Sequence, residues 1–143
     1  MYTFSPYQQE KLPFELPFPQ TPLYAKQQEA QGFSTKQFII KRDGSVVGLF
    51  QAVIYPLIKN KTSVYLPYGP VLTESSPELL TGLASFLKEL GSSVNAVFVR
   101  TDFSLTHPDS YPNSYKPVAD YAYKTAYHQP RGEWLLDLSP STD

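Results

Sequence analysis

The sequence predicts a mixed α/β fold for one domain of 143 residues, a length that suffices for a modest hydrophobic core. Two runs rich in apolar and β-branched residues flank Asp43-Gly44, a pair typical of the tight turn of a β-hairpin. A stripe of apolar residues with helical spacing covers 77–90, and an apolar run at 95–100 follows it. Antiparallel strands followed by a helix and a further strand indicate a mixed, mainly antiparallel sheet with flanking helices.

The N-terminal region is expected to be an extended arm. Residues 1–20 hold four of the fourteen prolines, which favours an extended chain with a frayed start. Thr21-Pro22 is typical of an N-cap followed by the first helical residue, and Gly32 is typical of a helix end. The helix between them is predicted to be short and weakly amphipathic.

Three strands are predicted after this helix. The second is long, and it is expected to carry a bulge or to end near Pro56. The segment Pro67-Tyr68-Gly69-Pro70 breaks the pairing after the third strand, because proline lacks an N–H donor and Gly69 is free to adopt a positive φ. The three predicted strands are Lys36–Arg42, Ser45–Ile58 and Thr62–Leu66.

A second helix is predicted from about Pro77 to Leu90, ended by Gly91. Its apolar stripe comprises Leu79, Leu83, Phe86, Leu87 and Leu90. The segments predicted beyond it are a buried strand at 95–100, a Pro- and Tyr-rich excursion at 103–120, and strands near 121–128 and 133–138.

Charge and composition exclude several classes of function. The formal net charge is −1 and no run of Lys or Arg occurs, so autonomous nucleic-acid binding is not expected. The chain has no cysteine, which excludes disulfides, thiolate metal sites and cysteine nucleophiles and fits a reducing cytosol. No apolar run has the length of a membrane span or the form of a signal peptide.

Common catalytic and cofactor motifs are also missing from the sequence. It contains no G-x-S-x-G elbow, no H-E-x-x-H pair and no glycine-rich phosphate loop, and His107 and His128 lie in loop-like contexts. The Q/R-x-x-G-x-G/A loop that cradles the pyrophosphate of acetyl-CoA is absent as well, which counts against acetyl-CoA chemistry in this chain. Neither a metal nor a cofactor is predicted.

Four short segments occur in an order that resembles the FemABX family of peptidoglycan-bridge aminoacyltransferases. Each motif is weak or moderate alone, and the ordered set, spanning residue 20 to the C-terminus, is much more specific. Tyr24 stands where the family usually has Trp, and Tyr68 where it often has a basic residue. The segments are Leu23-Tyr24-Ala25-Lys26, Tyr65-Leu66-Pro67-Tyr68-Gly69-Pro70-Val71, Phe98-Val99-Arg100-Thr101-Asp102, and Gln129-Pro130-Arg131 with Leu136-Asp137-Leu138.

This resemblance implies an N-acetyltransferase-like fold. It makes 21–143 the N-terminal unit of a tandem enzyme whose second unit is absent from this chain. The implied reaction moves an amino acid from aminoacyl-tRNA to the peptide stem of a peptidoglycan precursor in the cytoplasm, including the inner face of the membrane. The implied acceptor is UDP-MurNAc-pentapeptide or a lipid-linked muropeptide, and the donor would bind through the missing half. The chain alone is therefore expected to be inactive.

Two alternatives to this function stay open at the level of sequence. The chain can be a non-catalytic, truncated module that binds a muropeptide or a protein partner. It can also be half of a related acetyl- or acyltransferase. An amine attacking an activated ester needs positioning more than a side-chain nucleophile, so no catalytic residue is assigned firmly, and Asp102 is the candidate.

Lys26 is the leading candidate for substrate binding. It lies at a helical angle close to those of Leu23 and Ala30, so its stem can lie on the domain while its ammonium faces a cleft. Lysine is a good partner for the diphosphate of a nucleotide-linked precursor, and the family resemblance implies that role. The structural alternative is a solvated lysine paired with Glu29.

The remaining candidates lie at strand ends. Asp102 follows the strand at 95–100, where it can accept a proton from the attacking amine or hold the acceptor; the alternative is an Asx-turn, an N-cap, or a pair with Arg100. Tyr65, Tyr68 and Gly69 are expected to line the acceptor groove, although Gly69 can also serve only to shape the turn. Arg131 and Trp134 are interpreted as structural, with Arg131 tied to a nearby carboxylate.

Overall fold

The computed structural model describes residues 1–102 and the backbone of 104–105. Short 3-10 turns cover Phe18–Gln20 and Ile58–Asn60. The helices and strands, in chain order, are β1 (Tyr2–Pro6), α1 (Pro22–Ala30), β2 (Ser34–Arg42), β3 (Ser45–Pro56), β4 (Thr62–Leu66), β5 (Val71–Leu72), α2 (Pro77–Ser93), β6 (Ala96–Thr101) and β7 (Ser104–Leu105).

The hairpin of β2 and β3 confirms the sequence prediction. Asp43 and Gly44 have φ values of 49° and 87°, as a type I′ turn requires. The register steps from Ile40 opposite Gly48 to Lys41 opposite Val46, which leaves a bulge of one residue on β3. As predicted, β3 carries a bulge and ends at Pro56.

The strands form one sheet of mixed order. Its main path is β1-β2-β3-β4-β6, and β5 pairs with β3 and with β7. All pairs on this path are antiparallel except β4 with β6, which are parallel because α2 returns the chain to the same end of the sheet. The mixed, mainly antiparallel α/β class predicted from sequence is thus confirmed.

Two layers of helix cover opposite faces of the sheet. Alternating side chains of β2 and β3 point to one face, where Phe38 and Phe50 stack and Phe86 of α2 packs against both rings. On the other face, Tyr55 of β3 donates a hydrogen bond to Gln28 of α1. The main core lies beneath α2, and its most buried helix residues are Leu79, Leu83, Leu87 and Leu90, as the apolar stripe predicted.

The N-terminal residues differ from the predicted arm. Tyr2–Pro6 pair with β2 as the edge strand β1, so the start of the chain is a paired strand and not a frayed end. Phe4 explains this pairing, because its ring stacks on Phe86 at 5.0 Å between ring centroids and brings the strand onto the core.

Two local predictions were wrong, and one short strand was missed. α2 continues through Gly91 to Ser93, because the glycine makes room for the close approach of β6 and does not end the helix. β6 is not fully buried, since Val97 and Phe98 are 58% and 55% exposed. The short strand β5 was not predicted.

Within the described residues, no helix combines the length and apolar character needed to cross a membrane. The predicted excursion at 103–120 and the strands near 121–128 and 133–138 lie almost wholly outside the described residues.

Candidate functional site

The ends of the parallel strands β4 and β6 bring the predicted site residues together. In the register of this pair, Tyr65 lies opposite Arg100. The carbonyl of Leu66 accepts hydrogen bonds from the N–H groups of Gly69 and Asp102, both at 3.2 Å. One carbonyl therefore joins the turn after β4 to the residue after β6. Open α/β sheets place ligands at such carboxyl ends of parallel strands.

Asp102 is hydrogen-bonded to one side chain at this edge and lies within ion-pair distance of a second. The hydroxyl of Tyr65 donates a short hydrogen bond to one carboxylate oxygen. Nε of Arg100 lies 3.9 Å from the other oxygen, so the predicted pair with Arg100 is present. The side chains of Arg100 and Asp102 are each 19% exposed, which keeps the carboxylate reachable from solvent yet largely screened. Such an arrangement can orient an ammonium group or accept a proton from an amine.

The turn at 67–70 has an unusual backbone. The positive φ falls on Tyr68, at 52°, and not on Gly69 as the sequence analysis expected. A bulky residue in the left-handed region costs about 1–3 kcal/mol, and such conformations cluster at ligand-binding sites. The peptide bond between Gly69 and Pro70 is cis. Tyr68 is half-buried, so part of its side chain faces solvent beside the strand ends.

The turn is hydrogen-bonded to Gln20, a buried residue that the sequence analysis missed. Gln20 is fully buried. Its Nε2 donates to the carbonyl of Pro67 at 2.6 Å and to that of Gln51 at 3.4 Å. Its Oε1 accepts from the N–H of Gln51 at 2.7 Å. The carboxamide thus joins the turn to the middle of β3.

Two further glutamines complete this network, the buried Gln51 and the half-buried Gln37. Gln51 donates from Nε2 to the carbonyl of Pro19 at 3.0 Å, and its Oε1 accepts from Gln37 at 2.7 Å. Gln37 also donates to the carbonyl of Gln20 at 3.4 Å. Buried amides are tolerated only when bonded, and these three satisfy one another and the backbone. The sequence signal was Gln51 itself, a carboxamide between Phe50 and Ala52 in an otherwise apolar strand.

Gly69 is buried against this network. A Cβ built at Gly69 would lie 2.6–2.8 Å from Nε2, Cδ and Oε1 of Gln20. Real Cβ atoms are essentially never found that close to another heavy atom. The missing side chain of Gly69 therefore makes room for the Gln20 carboxamide.

Lys26 lies on the exposed side of α1. The residues of α1 that pack inward are Ala25 and Gln28, whereas Leu23 is 66% exposed. The face of Leu23, Lys26 and Ala30 thus points to solvent, and the expectation that the stem of Lys26 lies on the domain was wrong in this respect.

The ion-pair alternative for Lys26 is not seen either. Glu29 accepts a hydrogen bond from the hydroxyl of Thr35 at 2.5 Å. Within the described part of the chain, no ion pair involves Lys26.

Helix α1 begins at the same network. The hydroxyl of Thr21 caps the helix by accepting from the N–H of Tyr24 at 3.3 Å, as predicted. Gln20 precedes this cap directly.

The sheet face beneath α1 carries Tyr55 of β3. Burial raises the pKa of its hydroxyl, and the neighbouring Tyr24 raises it further.

Four residues weighed at the sequence level lie outside the described residues: His107, His128, Arg131 and Trp134. In residues 1–102, no group of three or more His, Asp or Glu side chains is placed to hold a metal ion.

Solved structures with a similar fold were found, whereas no protein-family model and no curated protein matches the chain. A crystal structure of FemX matches with a TM-score of 0.55 and 25% identity, over 60% of this chain and 22% of the FemX chain. A transcriptional regulator from Bacillus halodurans C-125 (TM-score 0.47, 10% identity) covers 89% of this chain and 100% of its own. A probable acetyltransferase (0.41, 15%) covers 78% of this chain and 89% of its own.

Of these three, only the FemX match is close enough to support an inference about this chain. The match spans about a fifth of the FemX chain. The chain thus has the mixed α/β fold that its sequence predicts, and part of it is similar to part of FemX.

Proposed function

We propose that this chain is part of an acyltransferase that acts as an aminoacyltransferase in peptidoglycan bridge formation. The observation that carries the proposal is the likeness to FemX, at 25% identity over 60% of the chain. The convergence of Tyr65, the turn at 67–70 and Asp102 at the ends of β4 and β6 supports it, because this edge offers a half-buried carboxylate oriented by a hydrogen bond.

In this proposal the chain supplies the acceptor cleft. The amine of the precursor's peptide stem attacks the ester carbon of the aminoacyl donor. A C–N bond forms, the C–O bond to the tRNA breaks, and the amine proton passes to Asp102, which returns it to the departing ribose oxygen of the tRNA. The Tyr65 hydrogen bond holds that carboxylate in one orientation, and the guanidinium of Arg100 lies within ion-pair distance of it.

The other candidate residues bind the acceptor. Tyr68 presents its ring beside the strand ends, and Gly69 contributes by letting the turn pack on Gln20. Lys26 meets the diphosphate of UDP-MurNAc-pentapeptide, or of a lipid-linked muropeptide, with an ammonium that forms no ion pair within residues 1–102.

The aminoacyl-tRNA donor binds outside this chain, in the cytoplasm. The formal net charge of −1 offers RNA little attraction, and the FemX match leaves most of FemX without a counterpart here. The 143-residue chain is therefore expected to transfer no amino acid by itself. Measurable transfer by the purified chain without any added partner would contradict this expectation.

The test of the proposal is calorimetric binding of UDP-MurNAc-pentapeptide. Lys26→Ala should weaken binding by about 1–3 kcal/mol, the range for a lost charged hydrogen bond, with stability almost unchanged. Lys26→Arg should restore only part of the affinity, because a planar guanidinium does not replace a compact ammonium. Lys36→Ala is the matched control, since Lys36 is an exposed lysine on β2 whose position in the strand points it away from α1.

The same titration with a precursor that lacks the diphosphate separates the phosphate contact from other effects. Lys26→Ala should bind this truncated ligand as the wild type does. If Lys26→Ala instead binds the complete precursor as tightly as the wild type, then Lys26 is a solvated surface residue and its role in the acceptor cleft is refuted.

A further inference from the structure

We propose that Gln20 is a positioning residue for the acceptor cleft, whose carboxamide sets the turn at 67–70 relative to α1. The inference rests on the proposed function for its link to the acceptor, whereas its structural part stands on the contacts of Gln20 alone. Gln20 has no path to solvent, so it acts through the residues that it holds.

The carboxamide of Gln20 replaces a missing stretch of β-strand. On one edge of β3, β4 pairs with Val53–Pro56 and β5 pairs with Gly48 and Leu49. The intervening residues 50–52 have no strand partner on that edge. Gln20 fills the gap, because its amide accepts from the N–H of Gln51 and donates to the carbonyl of the same residue. It thus pairs with Gln51 as a peptide group would.

The same carboxamide holds the turn. Its Nε2 donates to the carbonyl of Pro67 at 2.6 Å, the shorter of its two donated bonds. Gly69 packs directly on the amide, and any side chain there would collide with it. Tyr68 precedes Gly69, and its left-handed backbone conformation persists only where the surrounding structure enforces it. Gln20 is the buried group that supplies this constraint from the β3 side.

The main chain of Gln20 leads into α1. Its N–H donates to the carbonyl of Pro17 at 2.8 Å, and its carbonyl accepts from Gln37. Thr21, the next residue, caps the helix that carries Lys26. One buried residue therefore links the helix bearing the proposed phosphate contact to the turn bearing Tyr68. A substitution at Gln20 changes the spacing of two parts of one binding site.

The test compares two glutamine-to-methionine variants, one at Gln20 and one at Gln37. Gln20→Met keeps the length and burial of the side chain but removes every hydrogen bond to the turn and to β3. Gln37→Met is the control, because it removes a partly buried amide of the same network that does not contact the turn. Both are measured in the 143-residue chain, by amide NMR without ligand and by calorimetric affinity for UDP-MurNAc-pentapeptide.

We expect Gln20→Met to shift the amide resonances of Gly69 and Asp102 and to weaken precursor binding by about ten-fold, equivalent to about 1.4 kcal/mol. Gln37→Met should leave both readouts near the wild type, although it also removes partly buried hydrogen bonds of the same network. A merely structural role for Gln20 predicts that the two variants behave alike.

Unchanged resonances of Gly69 and Asp102 in Gln20→Met, or equal shifts in both variants, would overturn the inference. Unchanged precursor affinity in Gln20→Met would do the same. If the wild type binds no precursor, the proposed function fails, and the ligand-free resonances still decide the positioning role. If Gln20→Met does not fold, Gln20→Asn takes its place, since its stem is one methylene shorter and cannot bring the carboxamide to both Pro67 and Gln51.

Discussion

Replacing Gly69 by alanine tests the contact between the turn and Gln20 by adding one methyl group. The new Cβ would lie 2.6–2.8 Å from three atoms of the Gln20 carboxamide. The carboxamide must retreat by about 0.6–0.8 Å to reach the 3.4 Å of an ordinary van der Waals contact. Gly69 is not among the residues with positive φ, so alanine meets no left-handed strain there.

The expected cost follows from the bonds that this retreat breaks. The bonds of Gln20 to the Pro67 carbonyl and to the Gln51 N–H, at 2.6 and 2.7 Å, are both buried. Leaving buried donors or acceptors without partners costs about 1–3 kcal/mol. The lower entropy of the unfolded alanine chain offsets about 0.4–1 kcal/mol of this loss. Gly69→Ala should therefore lower the free energy of unfolding by about 0.5–2 kcal/mol, measured by urea unfolding followed by circular dichroism.

A double-mutant cycle isolates the contact. In a Gln20→Ala background the methyl group meets open space, so Gly69→Ala should cost less than about 0.5 kcal/mol there. The coupling free energy between the two positions should then be about 1–3 kcal/mol. Equal costs of Gly69→Ala in both backgrounds would show that the collision with Gln20 does not determine the effect, and the geometric reasoning would be refuted.

Two glycines of α2 and one carboxylate give further predictions. Gly82→Ala should stabilise the protein by about 0.5–1 kcal/mol in urea unfolding, because alanine favours a helix and the nearest atom lies at 3.5 Å. Gly91→Ala should destabilise it by about 0.5–2 kcal/mol in the same assay, because its Cβ would lie 2.9 Å from Val99 and overpacking outweighs helix propensity; stabilisation would contradict the close approach. The pKa of Glu10 is lowered, chiefly by a hydrogen bond from the backbone N–H two residues earlier and further by Lys41. A carboxyl group whose pKa is lower in the folded than in the unfolded state stabilises the fold, and this stabilisation is lost as the pH falls below about 4.3. Glu10→Gln should therefore lose less free energy of unfolding than the wild type over that pH range. The same pH profile in both proteins would refute this role.

The site could be predicted in part. The segments that resemble the FemABX family pointed to Tyr65, Tyr68 and Asp102, and the structure places Tyr65 and Asp102 in direct contact. Their geometry could not be predicted, because it depends on the register between β4 and β6, which are separated by a helix of 17 residues. The roles of these residues in substrate binding stay predictions.

The sequence by itself determined the elements whose causes are local. Asp43-Gly44 adopts the hairpin turn because both residues tolerate a positive φ. Thr21-Pro22 starts α1 because a side-chain oxygen satisfies a free N–H while proline needs no acceptor. In α2, four leucines share one face because their spacing matches the helical period, and that face is the buried one.

Only the tertiary structure decided features that depend on residues far apart in the chain. Helical angles show which residues of α1 share a face, but the packing of Tyr55 and the glutamine network turned Ala25 and Gln28 inward and left Lys26 exposed. Gly91 has the local character of a helix end, yet the approach of β6 requires it inside the helix. The carboxamide of Gln20 hydrogen-bonds to β3 in place of a strand because β4 and β5 leave residues 50–52 without a partner on that edge. No local pattern specifies where two neighbouring strands stop pairing.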